Sequence, residues 1–510
     1  MNIYRPVWTC GRYDSNHNVA IYYNLIEGMS YFFEDYSALV IGKILSLGRN
    51  GYISLSDLSE ETELSTDNLL LFIEQLKELN IITDFLPSPK SIENYRNDFA
   101  KANLAHFETQ NQADTRESLP IAKDTAEMAF SDKSGGISGC MFELTYNCCE
   151  KCVHCYNIGA TRNDSEISHR NISNALTFAE YKRIIDELYD EGMYKVCLTG
   201  GDPFMNPFAW DIIDYLFKKD IAIDIYTNGQ LIVDKIDKLK NYYPRLVSVS
   251  LYSGVPEDHD YITRIEGSWA KTMSVIEHLS RESVPMNLKC CIMQPNLKSY
   301  KSVSKIGHKL GIPVQYELNI TDSIEGDHCA SHYLRLAREQ LNIVLQDSET
   351  PMYVNSQLPN YGGVVRKNDV NGCAAGNDTF NITPDGVLTP CCAFHLDLGN
   401  LHKQSVRDIL FNSKTLRWWR NLTLKAYEEC GSHEYCAFCN LCPGNNFSEH
   451  GTPIKCSENN VYMAKVRYDL ANKLKNGEHP LNSEELHKAI DELPTPPKGI
   501  LQREFYFNKE

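Results

Sequence analysis

Stretches of β-forming residues alternate with amphipathic helical stretches between residues 138 and 320, and this alternation limits the possible folds more than any other feature of the sequence. The predicted strands are Met141–Thr145, Lys195–Thr199, Ile221–Thr227, Arg245–Leu251, Asn287–Met293 and Val314–Asn319. Between the first two strands, Thr177 and Glu180 form a capping box in front of an apolar helical stripe. Consecutive βα units predict an α/β fold with a parallel sheet, open or closed into a partial barrel, and a site at the carboxyl ends of its strands.

Charge and terminal composition argue against two classes of partner. The 510-residue chain has a formal net charge of -17 at pH 7, whereas a nucleic-acid binder needs clustered Lys and Arg to neutralise phosphate. Met1–Arg12 has neither the basic nor the apolar region of a signal peptide, and no apolar run reaches membrane-spanning length. We therefore expect a cytoplasmic protein of several domains that binds neither nucleic acid nor a membrane.

The 18 cysteines indicate metal sites rather than disulfides, because the cytosol keeps thiols reduced. One group lies at residues 148–155, and a second group of eight lies between residues 373 and 456. Outside the expected ligand sets, the remaining cysteines are interpreted as small buried apolar residues: Cys10, Cys140, Cys149, Cys197, Cys290, Cys291 and Cys329.

The first cysteine group follows the first predicted strand directly. Cys148, Cys152 and Cys155 are separated by gaps of three and two residues, so a four-iron cluster held by them keeps one iron free of protein thiolate. The loop resembles the defining motif of the radical S-adenosylmethionine (SAM) superfamily. The resemblance implies that the free iron binds the amino and carboxylate groups of SAM, and that His154 lies against its adenine. The alternative is half of a zinc site, which requires a fourth ligand nearby.

A glycine-rich segment, Leu198-Thr199-Gly200-Gly201-Asp202-Pro203, follows the second predicted strand. Glycines allow backbone carbonyl and amide groups to approach a small polar group closely. The segment resembles the Gly-Gly-Glu-Pro motif of the same family, which receives the amino group of SAM, although Asp202 stands where Glu is usual. The resemblance implies SAM contacts from Thr199, Gly200, Gly201 and Asp202. The alternative is a plain turn before a helix.

The third and fourth predicted strands also end in polar residues. The resemblance implies that Ser250 and the downstream Arg264 contact the ribose or carboxylate of SAM. For Asn228-Gly229 we favour a plain turn, and for His259 a helix cap or surface position.

The second cysteine group resembles the SPASM domain, an extension of peptide-modifying radical SAM enzymes that holds auxiliary [4Fe-4S] clusters. The central gaps here are five, two and two residues, where the family has two, five and three. Family order implies an outer cluster held by Cys430, Cys436, Cys439 and Cys456, and an inner cluster held by Cys373, Cys391 and Cys442. The fourth inner ligand is left open between Cys392, a substrate thiolate and none. The alternative to auxiliary clusters is a pair of zinc knuckles.

The rest of the chain suggests a modular organisation. Residues 1–85 read as a hairpin followed by helices, with the clearest helix opening at Ser65-Thr66, and they resemble the winged-helix leader-peptide-recognition domains of peptide-modifying enzymes. A packing domain without a ligand is the alternative. We predict a linker with one short helix at 86–136, the radical SAM core at 137–350, a SPASM-type domain at 365–465 and a tail at 466–510.

Together these resemblances imply a radical SAM oxidoreductase that reductively cleaves SAM to a 5′-deoxyadenosyl radical. The resemblance implies as substrate a ribosomally made precursor peptide with a leader segment, which acquires a C–S or C–C crosslink or is epimerised, and a flavodoxin or ferredoxin as electron donor. One alternative is an anaerobic sulfatase maturase that forms formylglycine, and another is a non-catalytic, metal-stabilised scaffold that binds a peptide. The sequence does not identify the catalytic hydrogen donor.

Overall fold

The computed structural model describes residues 1–112, 125–157, 174–323, 333–350, 352–354, 373–427 and 433–493, with side chains for all of them except 106–112. Predicted features that lie outside these ranges are Cys329, Cys430 and the prolines of the tail, Pro494, Pro496 and Pro497. Among the helices of the described ranges, none combines the length and the apolar character that crossing a membrane requires.

The chain begins with a small unit of strands and helices. Its elements are β1 (Asn2–Tyr4), β2 (Thr9–Asp14), β3 (Val19–Asn24), β4 (Met29–Glu34), α1 (Asp35–Ser46), β5 (Tyr52–Ser54), α2 (Leu55–Thr62) and α3 (Thr66–Glu78). The Ser65 side chain accepts a hydrogen bond from the backbone N–H of Asn68, so α3 begins where the sequence predicts. Strands β2, β3 and β4 form an antiparallel sheet in that order, with β4 at an edge.

The segment 86–136 contains more regular structure than the linker with one short helix that the sequence analysis expects. It forms two helices, α4 (Pro89–Gln112) and α5 (Thr125–Ser134). Ile92, Tyr95 and Phe99 recur at helical spacing on α4 and pack into a cluster that includes Trp8 and Phe130. The prediction is wrong here because three apolar residues among many polar ones give too weak a periodic signal to predict a helix. In the structure these three residues are enough to pack α4 against the amino-terminal unit.

The central unit is the predicted alternation of strands and helices. Its elements are β6 (Gly139–Glu143), α6 (Phe178–Asp190), β7 (Lys195–Thr199), α7 (Ala209–Lys218), β8 (Ala222–Thr227), α8 (Ile236–Lys240), β9 (Leu246–Ser250), α9 (Pro256–Thr263), α10 (Ser268–Arg281), β10 (Met286–Cys291), α11 (Lys301–Leu310), β11 (Val314–Glu317) and α12 (Arg338–Val344). Strands β6 to β11 are parallel and adjacent in chain order, which confirms the α/β fold with a parallel sheet. The capping box of Thr177 and Glu180 opens α6 as predicted.

Alternate residues of these strands face opposite sides of the sheet. Val196, Ile223, Val247 and Leu288 are buried in the main apolar cluster with the surrounding helices. Their neighbours point to the inner face, which is polar and includes Cys197, Asp224, Tyr226, Ser248, Lys289 and Glu317. We call the space enclosed by this inner face the lumen.

The carboxyl-terminal region adds three strands to the same sheet. Its elements are β12 (Thr379–Ile382), β13 (Val387–Thr389), β14 (Gly399–Asn400), α13 (Val406–Asn412), α14 (Lys414–Asn421), α15 (Pro443–His450), α16 (Glu458–Lys475) and α17 (Ser483–Glu492). β12 pairs in parallel with β6, and β13 and β14 continue the sheet antiparallel. The predicted domain boundary at residue 465 falls inside α16. The cysteine-rich region therefore continues the central sheet and does not form a separate sheet of its own.

The amino-terminal sheet is buried on both faces. Ala20 and Tyr22 of β3 pack against α1 to α3, whereas Ile21 and Tyr23 pack against the central unit at Tyr194, which precedes β7. The amino-terminal unit therefore lies against the amino ends of the parallel strands, at the opposite end of the sheet from the predicted site.

Charged groups reinforce this junction. Asp220, just before β8, accepts hydrogen bonds from Arg5 at 2.7 Å and Arg49 at 3.0 Å. Glu127 of α5 pairs with Lys195 of β7. Because Arg5 is fully buried, its positive charge needs Asp220 as a partner. Separating the two units would therefore cost free energy for the broken ion pair in addition to the loss of apolar contacts.

Candidate active site

Loops from neighbouring strands surround the predicted cysteine loop. β6 leads into residues 148–155, β7 into Gly200-Gly201, β8 into Asn228 and β9 into Tyr252. Parallel neighbours place their carboxyl ends along one edge of the sheet. The structure therefore brings together segments that are up to about one hundred residues apart in the chain, at the edge that the sequence predicts for the site.

The two glycines make room for the cysteine loop. A Cβ atom on Gly200 would lie 2.2 Å from the carbonyl oxygen of Thr145, and one on Gly201 would lie 2.2 Å from that of Asn147. The Gly201 N–H donates to the Thr145 carbonyl at 2.6 Å, and the Asp202 N–H donates to the Asn147 carbonyl at 2.9 Å. Close backbone packing therefore fixes the start of the cysteine loop, and any side chain at these glycines would displace it.

Asp202 is fully buried and connects two loops. Its Oδ2 accepts hydrogen bonds from Thr227 Oγ1 at 2.6 Å and from the Asn228 N–H at 3.2 Å, and its Oδ1 accepts one from the Phe204 N–H at 3.0 Å. Burial raises the pKa of this carboxyl. Its oxygen atoms are thus engaged with protein donors, so the Asp at this position holds the loop after β8 against the loop after β7.

Asn228 contacts the cysteine loop through its side chain. Its Oδ1 accepts the N–H of Gln230 at 3.0 Å, which leaves Nδ2 pointing at the thiols. Nδ2 lies 3.3 Å from Cys148 Sγ and 3.4 Å from Cys149 Sγ. The plain turn expected at Asn228-Gly229 is therefore an incomplete description, because the amide is a hydrogen-bond donor to a predicted cluster ligand. A polar residue at the carboxyl end of a neighbouring strand is the signal that the sequence offered.

Tyr252 and two histidines line the other side of the loop. The His154 and Tyr252 rings meet edge to face with centroids 4.7 Å apart, and the Tyr252 hydroxyl lies 4.0 Å from Cys152 Sγ. His259 Nδ1 accepts the Tyr252 N–H at 3.2 Å. His259 is fully buried, and burial lowers its pKa to about 4. The prediction of a cap or surface position for His259 is wrong, because a neutral imidazole here serves as a buried acceptor that orients Tyr252.

The remaining predicted SAM contacts lie around the same opening. Thr199 and Ser250 are the last residues of β7 and β9 and lie on the inner face. The Ser250 side chain lies near that of Tyr252. Arg264 follows α9 in a left-handed backbone conformation. The structure thus places these residues on strands and loops that border the cysteine loop.

The surroundings of the three thiols favour a bound metal cluster over three uncompensated thiolates. Burial raises the pKa of the Cys152 thiol well above its ordinary range, and burial likewise raises the pKa of Glu150 to about 8. Glu150 Oε1 is buried without a hydrogen-bond partner in the described structure. Thiolates at this place need a compensating positive charge, which a bound iron cluster supplies as its ligands lose their protons. Cys148, Cys152 and Cys155 therefore fit a three-ligand cluster.

The carboxyl-terminal cysteines form a second concentration of thiols. Cys442 interacts electrostatically with both Cys391 and Cys373, so these three lie together. Cys436 and Cys439 share one turn, in which the Cys439 N–H donates to the Cys436 carbonyl at 3.1 Å. Cys456 directly precedes the Ser457 cap of α16, and its carbonyl oxygen hydrogen-bonds His450.

Cys392 differs from its neighbour Cys391. The neighbouring Cys391 and Tyr156 side chains lower the pKa of the Cys392 thiol to about 7. Lys289 of β10 and Cys197 of β7 also interact with it electrostatically. Cys392 therefore borders both the auxiliary cysteines and the lumen.

Family models match two parts of the chain. The radical SAM superfamily model matches residues 142–295, and the SPASM iron-sulfur cluster-binding domain model matches residues 373–443. The first match contains the cysteine loop and its surrounding strands, and the second contains the carboxyl-terminal thiols except Cys456. The chain thus contains a radical SAM domain. More specifically, it carries a carboxyl-terminal SPASM domain, so both of its cysteine groups belong to iron-sulfur domains.

Individual relatives and structures agree with this domain composition. The antilisterial bacteriocin subtilosin biosynthesis protein AlbA of Bacillus subtilis is 26% identical over 310 residues, which cover 59% of this chain and 66% of AlbA. An AdoMet-dependent heme synthase of Methanosarcina barkeri is 24% identical over 342 residues, which cover 61% of this chain and 92% of that protein.

Solved structures share the fold at lower identity. Streptococcus suis SuiB bound to its precursor peptide SuiA superposes with a TM-score of 0.54 at 14% identity, covering 89% of this chain and 99% of SuiB. Native anSMEcpe with bound AdoMet superposes with a TM-score of 0.52 at 16% identity, covering 70% of this chain and 100% of anSMEcpe.

Proposed function

We propose that this chain reductively cleaves SAM and uses the resulting radical to modify a ribosomally synthesised peptide by crosslinking or epimerisation. The observation that carries the proposal is the half-buried loop of Cys148, Cys152 and Cys155 at the carboxyl edge of a parallel sheet, within a radical SAM domain. When bound, the cluster supplies the single electron that breaks the sulfonium of SAM, a step that ordinary acid–base groups do not perform. Thr199, Gly200, Gly201, Ser250 and Arg264 border the space in which SAM is proposed to lie.

The protein's own residues position and shield this chemistry. Gly200 and Gly201 let the cysteine loop approach β7, and Asp202 and Asn228 hold its far side. Tyr252 and His154 cover the opening, which keeps bulk water away from a reactive species. The SPASM clusters are proposed to exchange electrons with the substrate or with an external flavodoxin or ferredoxin in the cytoplasm.

The amino-terminal unit supports a peptide as substrate. β4 pairs with β3 on one side, and no strand pairs with its other side in the described ranges. Leu70 and Leu71 of α3 are 39% and 69% exposed, and Phe33 of β4 packs edge to face on Phe72 of α3. An open strand edge beside exposed apolar side chains suits the addition of an extended leader segment. Among the similar proteins, AlbA is a bacteriocin biosynthesis protein, and the SuiB structure holds the precursor peptide SuiA.

A second candidate function is modification of a tetrapyrrole. It is favoured by the match to AdoMet-dependent heme synthases, which spans 92% of the Methanosarcina barkeri protein. That match covers 61% of this chain, so the candidate leaves a large part of the chain without an assigned role. In the peptide hypothesis the amino-terminal unit has a role, because its open strand edge binds the leader segment. We therefore rank peptide modification above tetrapyrrole modification.

Anaerobic turnover tests the proposal. The protein is reconstituted with iron and sulfide and given SAM and dithionite, and 5′-deoxyadenosine is measured. Cys148→Ala is expected to abolish its formation, whereas the matched Cys149→Ser variant retains it. Zinc in place of iron, or undiminished turnover in Cys148→Ala, contradicts the proposal.

Mass spectrometry then identifies the substrate class. A co-expressed precursor peptide that loses two hydrogens has been crosslinked, and one with unchanged mass and altered stereochemistry has been epimerised. Conversion of a peptide Cys or Ser to formylglycine indicates a sulfatase maturase instead. Turnover of an iron tetrapyrrole, with no change in any peptide, favours the second candidate.

A further inference from the structure

A buried arginine of α16 lies beside a cysteine turn of the carboxyl-terminal region. Arg467 is 5% exposed, and one nitrogen of its guanidinium group donates a hydrogen bond to the carbonyl oxygen of Phe438. Phe438 directly precedes Cys439, whose N–H donates to the Cys436 carbonyl in the same turn. The guanidinium group therefore lies against a turn that contains two of the predicted ligands of the outer auxiliary cluster.

Neighbouring side chains of α16 hold the turn in place. The Tyr468 ring meets the Phe438 ring edge to face with centroids 5.8 Å apart, and the Tyr468 hydroxyl donates to the Glu434 carboxylate. The Nζ of Lys465 lies 5.1 Å from the centroid of the Tyr435 ring. The helix thus contacts both ends of the turn, and this packing keeps the guanidinium group close to the cysteines.

The guanidinium group has no carboxylate partner in the described part of the chain. The Nε of Arg467 is buried without a hydrogen-bond partner there. The neighbouring carboxylate on α16, Asp469, pairs with Arg338 instead. Among the described residues, the titratable group that acts on the charge of Arg467 is the Cys439 thiol. The anion that this arginine needs is therefore to be sought at the cysteine turn.

A buried cation needs a compensating anion, because it has lost its hydration. A free thiol does not supply one, since it is largely protonated at neutral pH. A thiol that binds iron loses its proton, and an iron-sulfur cluster held by thiolates carries negative charge. The buried, unpartnered Nε–H and the charge of Arg467 therefore fit a cluster at the Cys436–Cys439 turn better than they fit free thiols.

We propose that the buried charge of Arg467 raises the reduction potential of the outer auxiliary cluster. One-electron reduction makes the cluster more negative, and a cation in a surrounding of low dielectric constant stabilises the more negative state. The outer cluster is thereby set to accept an electron rather than to donate one. The inference takes Cys439 as a ligand, as family order implies, and it rests on the proposed function only in giving this cluster a part in electron exchange.

Potentiometric titration of the anaerobically reconstituted full chain, without SAM, tests this inference. Reduction is followed by electron paramagnetic resonance, and the signal of the outer cluster is the one that Cys439→Ala removes. Arg467→Met removes the charge, Arg467→Gln removes the charge but keeps a donor for the Phe438 carbonyl, and Arg467→Lys keeps the charge. The control is Lys465→Met, which removes an exposed lysine from the same helix.

Arg467→Met and Arg467→Gln are expected to lower the ratio of reduced to oxidised outer cluster about tenfold at a given potential, which corresponds to about 59 mV for one electron. Arg467→Lys is expected to recover part of this ratio. The control is expected to stay close to the wild type, because water and salt screen an exposed charge. If the two uncharged variants hold no outer cluster and Arg467→Lys holds it, iron analysis supports the same need for a cation.

The inference is overturned if Arg467→Met, with a full complement of iron, keeps the wild-type potential. Recovery in Arg467→Gln also overturns it, because the effect then belongs to the hydrogen bond with Phe438, as does an equal shift in Lys465→Met, which assigns the effect to net charge. Loss of the outer cluster from all three Arg467 variants leaves the residue a structural role alone. No SAM is used, so failure of the wild type to form 5′-deoxyadenosine counts against the proposed function alone.

Discussion

The cysteine loop at 148–155 and the cysteines at 373–456 are held in different ways. Backbone hydrogen bonds to Gly201 and Asp202, the Asn228 amide and the Tyr252 ring fix the first group on a sheet whose strands are already paired. The second group lies on turns and helix ends, such as the 3-10 turn Glu434–Phe438 and the start of α15 at Pro443. The barrel therefore prepares the first site before metal binds, whereas metal itself organises much of the second.

The largest expected effect is that of Gly201→Ala, which tests whether the barrel alone positions the first site. The new methyl group would meet the Asn147 carbonyl at 2.2 Å, so the cysteine loop must move. We expect loss of the SAM-binding cluster and of 5′-deoxyadenosine formation, measured by iron analysis and electron paramagnetic resonance, with the auxiliary clusters kept. Gly267→Ala is the control, because it adds the strain of a positive φ (+77°), which Gly201 lacks, while no atom lies within 4 Å of the new Cβ. Equal cluster loss in both variants contradicts the steric explanation.

Removal of iron sharpens the comparison on the whole chain. After chelation we expect amide hydrogen exchange to quicken by more than about 100-fold around Glu434–Phe438, since cluster binding is part of the folding free energy there. Strands β7 and β8 are expected to keep their protection, because their hydrogen bonds and apolar cluster do not depend on metal. Equal loss of protection in both regions would contradict the claim that metal organises the second cysteine region but not the barrel.

Acid sensitivity probes the barrel side through His259. Its pKa falls from 6.5 to about 4 on folding, so the folded state holds it neutral and the unfolded state takes up the proton first. The stability it contributes is complete above about pH 6.5 and declines as the pH falls from there toward 4. Between pH 7.5 and 5.5 the metal-free wild type is expected to lose about 1.3 kcal/mol more unfolding free energy than His259→Asn, which keeps an acceptor without titrating. Urea titrations at both pH values check this, and parallel losses in the two proteins refute it.

The smallest expected effect concerns Asn228. An N–H donor to a ligating thiolate favours the reduced, more negative state of the cluster. Asn228→Ala is therefore expected to lower the reduction potential of the cluster at the cysteine loop by about 40 mV. This value corresponds to about 1 kcal/mol for one hydrogen bond and the transfer of one electron. Thr272→Val is the control, since it removes a hydrogen bond to the Asn228 carbonyl and leaves the amide in place. Potentiometric titration followed by electron paramagnetic resonance gives both values. A shift of the same size in the control assigns the effect to loop movement.

Local patterns in the sequence were sufficient for the central strands and for the position of the cysteine loop after the first of them. Alternating apolar residues marked the central strands, and the gaps between Cys148, Cys152 and Cys155 marked the loop. The pairing of β12 with β6 was not predictable in the same way, because it joins segments more than 200 residues apart and depends on register. The roles of Asp202 and Asn228 also required the structure, since a hydrogen bond between two loops leaves no periodic trace in either of them.

The amino-terminal sheet, covered on one face by its own helices and on the other by the barrel, has a consequence for protein engineering. A shortened chain that starts after residue 85 would lose the packing of Ile21 and Tyr23 beside Tyr194 and the ion pair of Arg5 with Asp220, and a transplanted amino-terminal unit would have to reproduce these contacts. Exchange of amino-terminal units between related proteins therefore calls for changing the β4 edge alone while the barrel-facing side is retained.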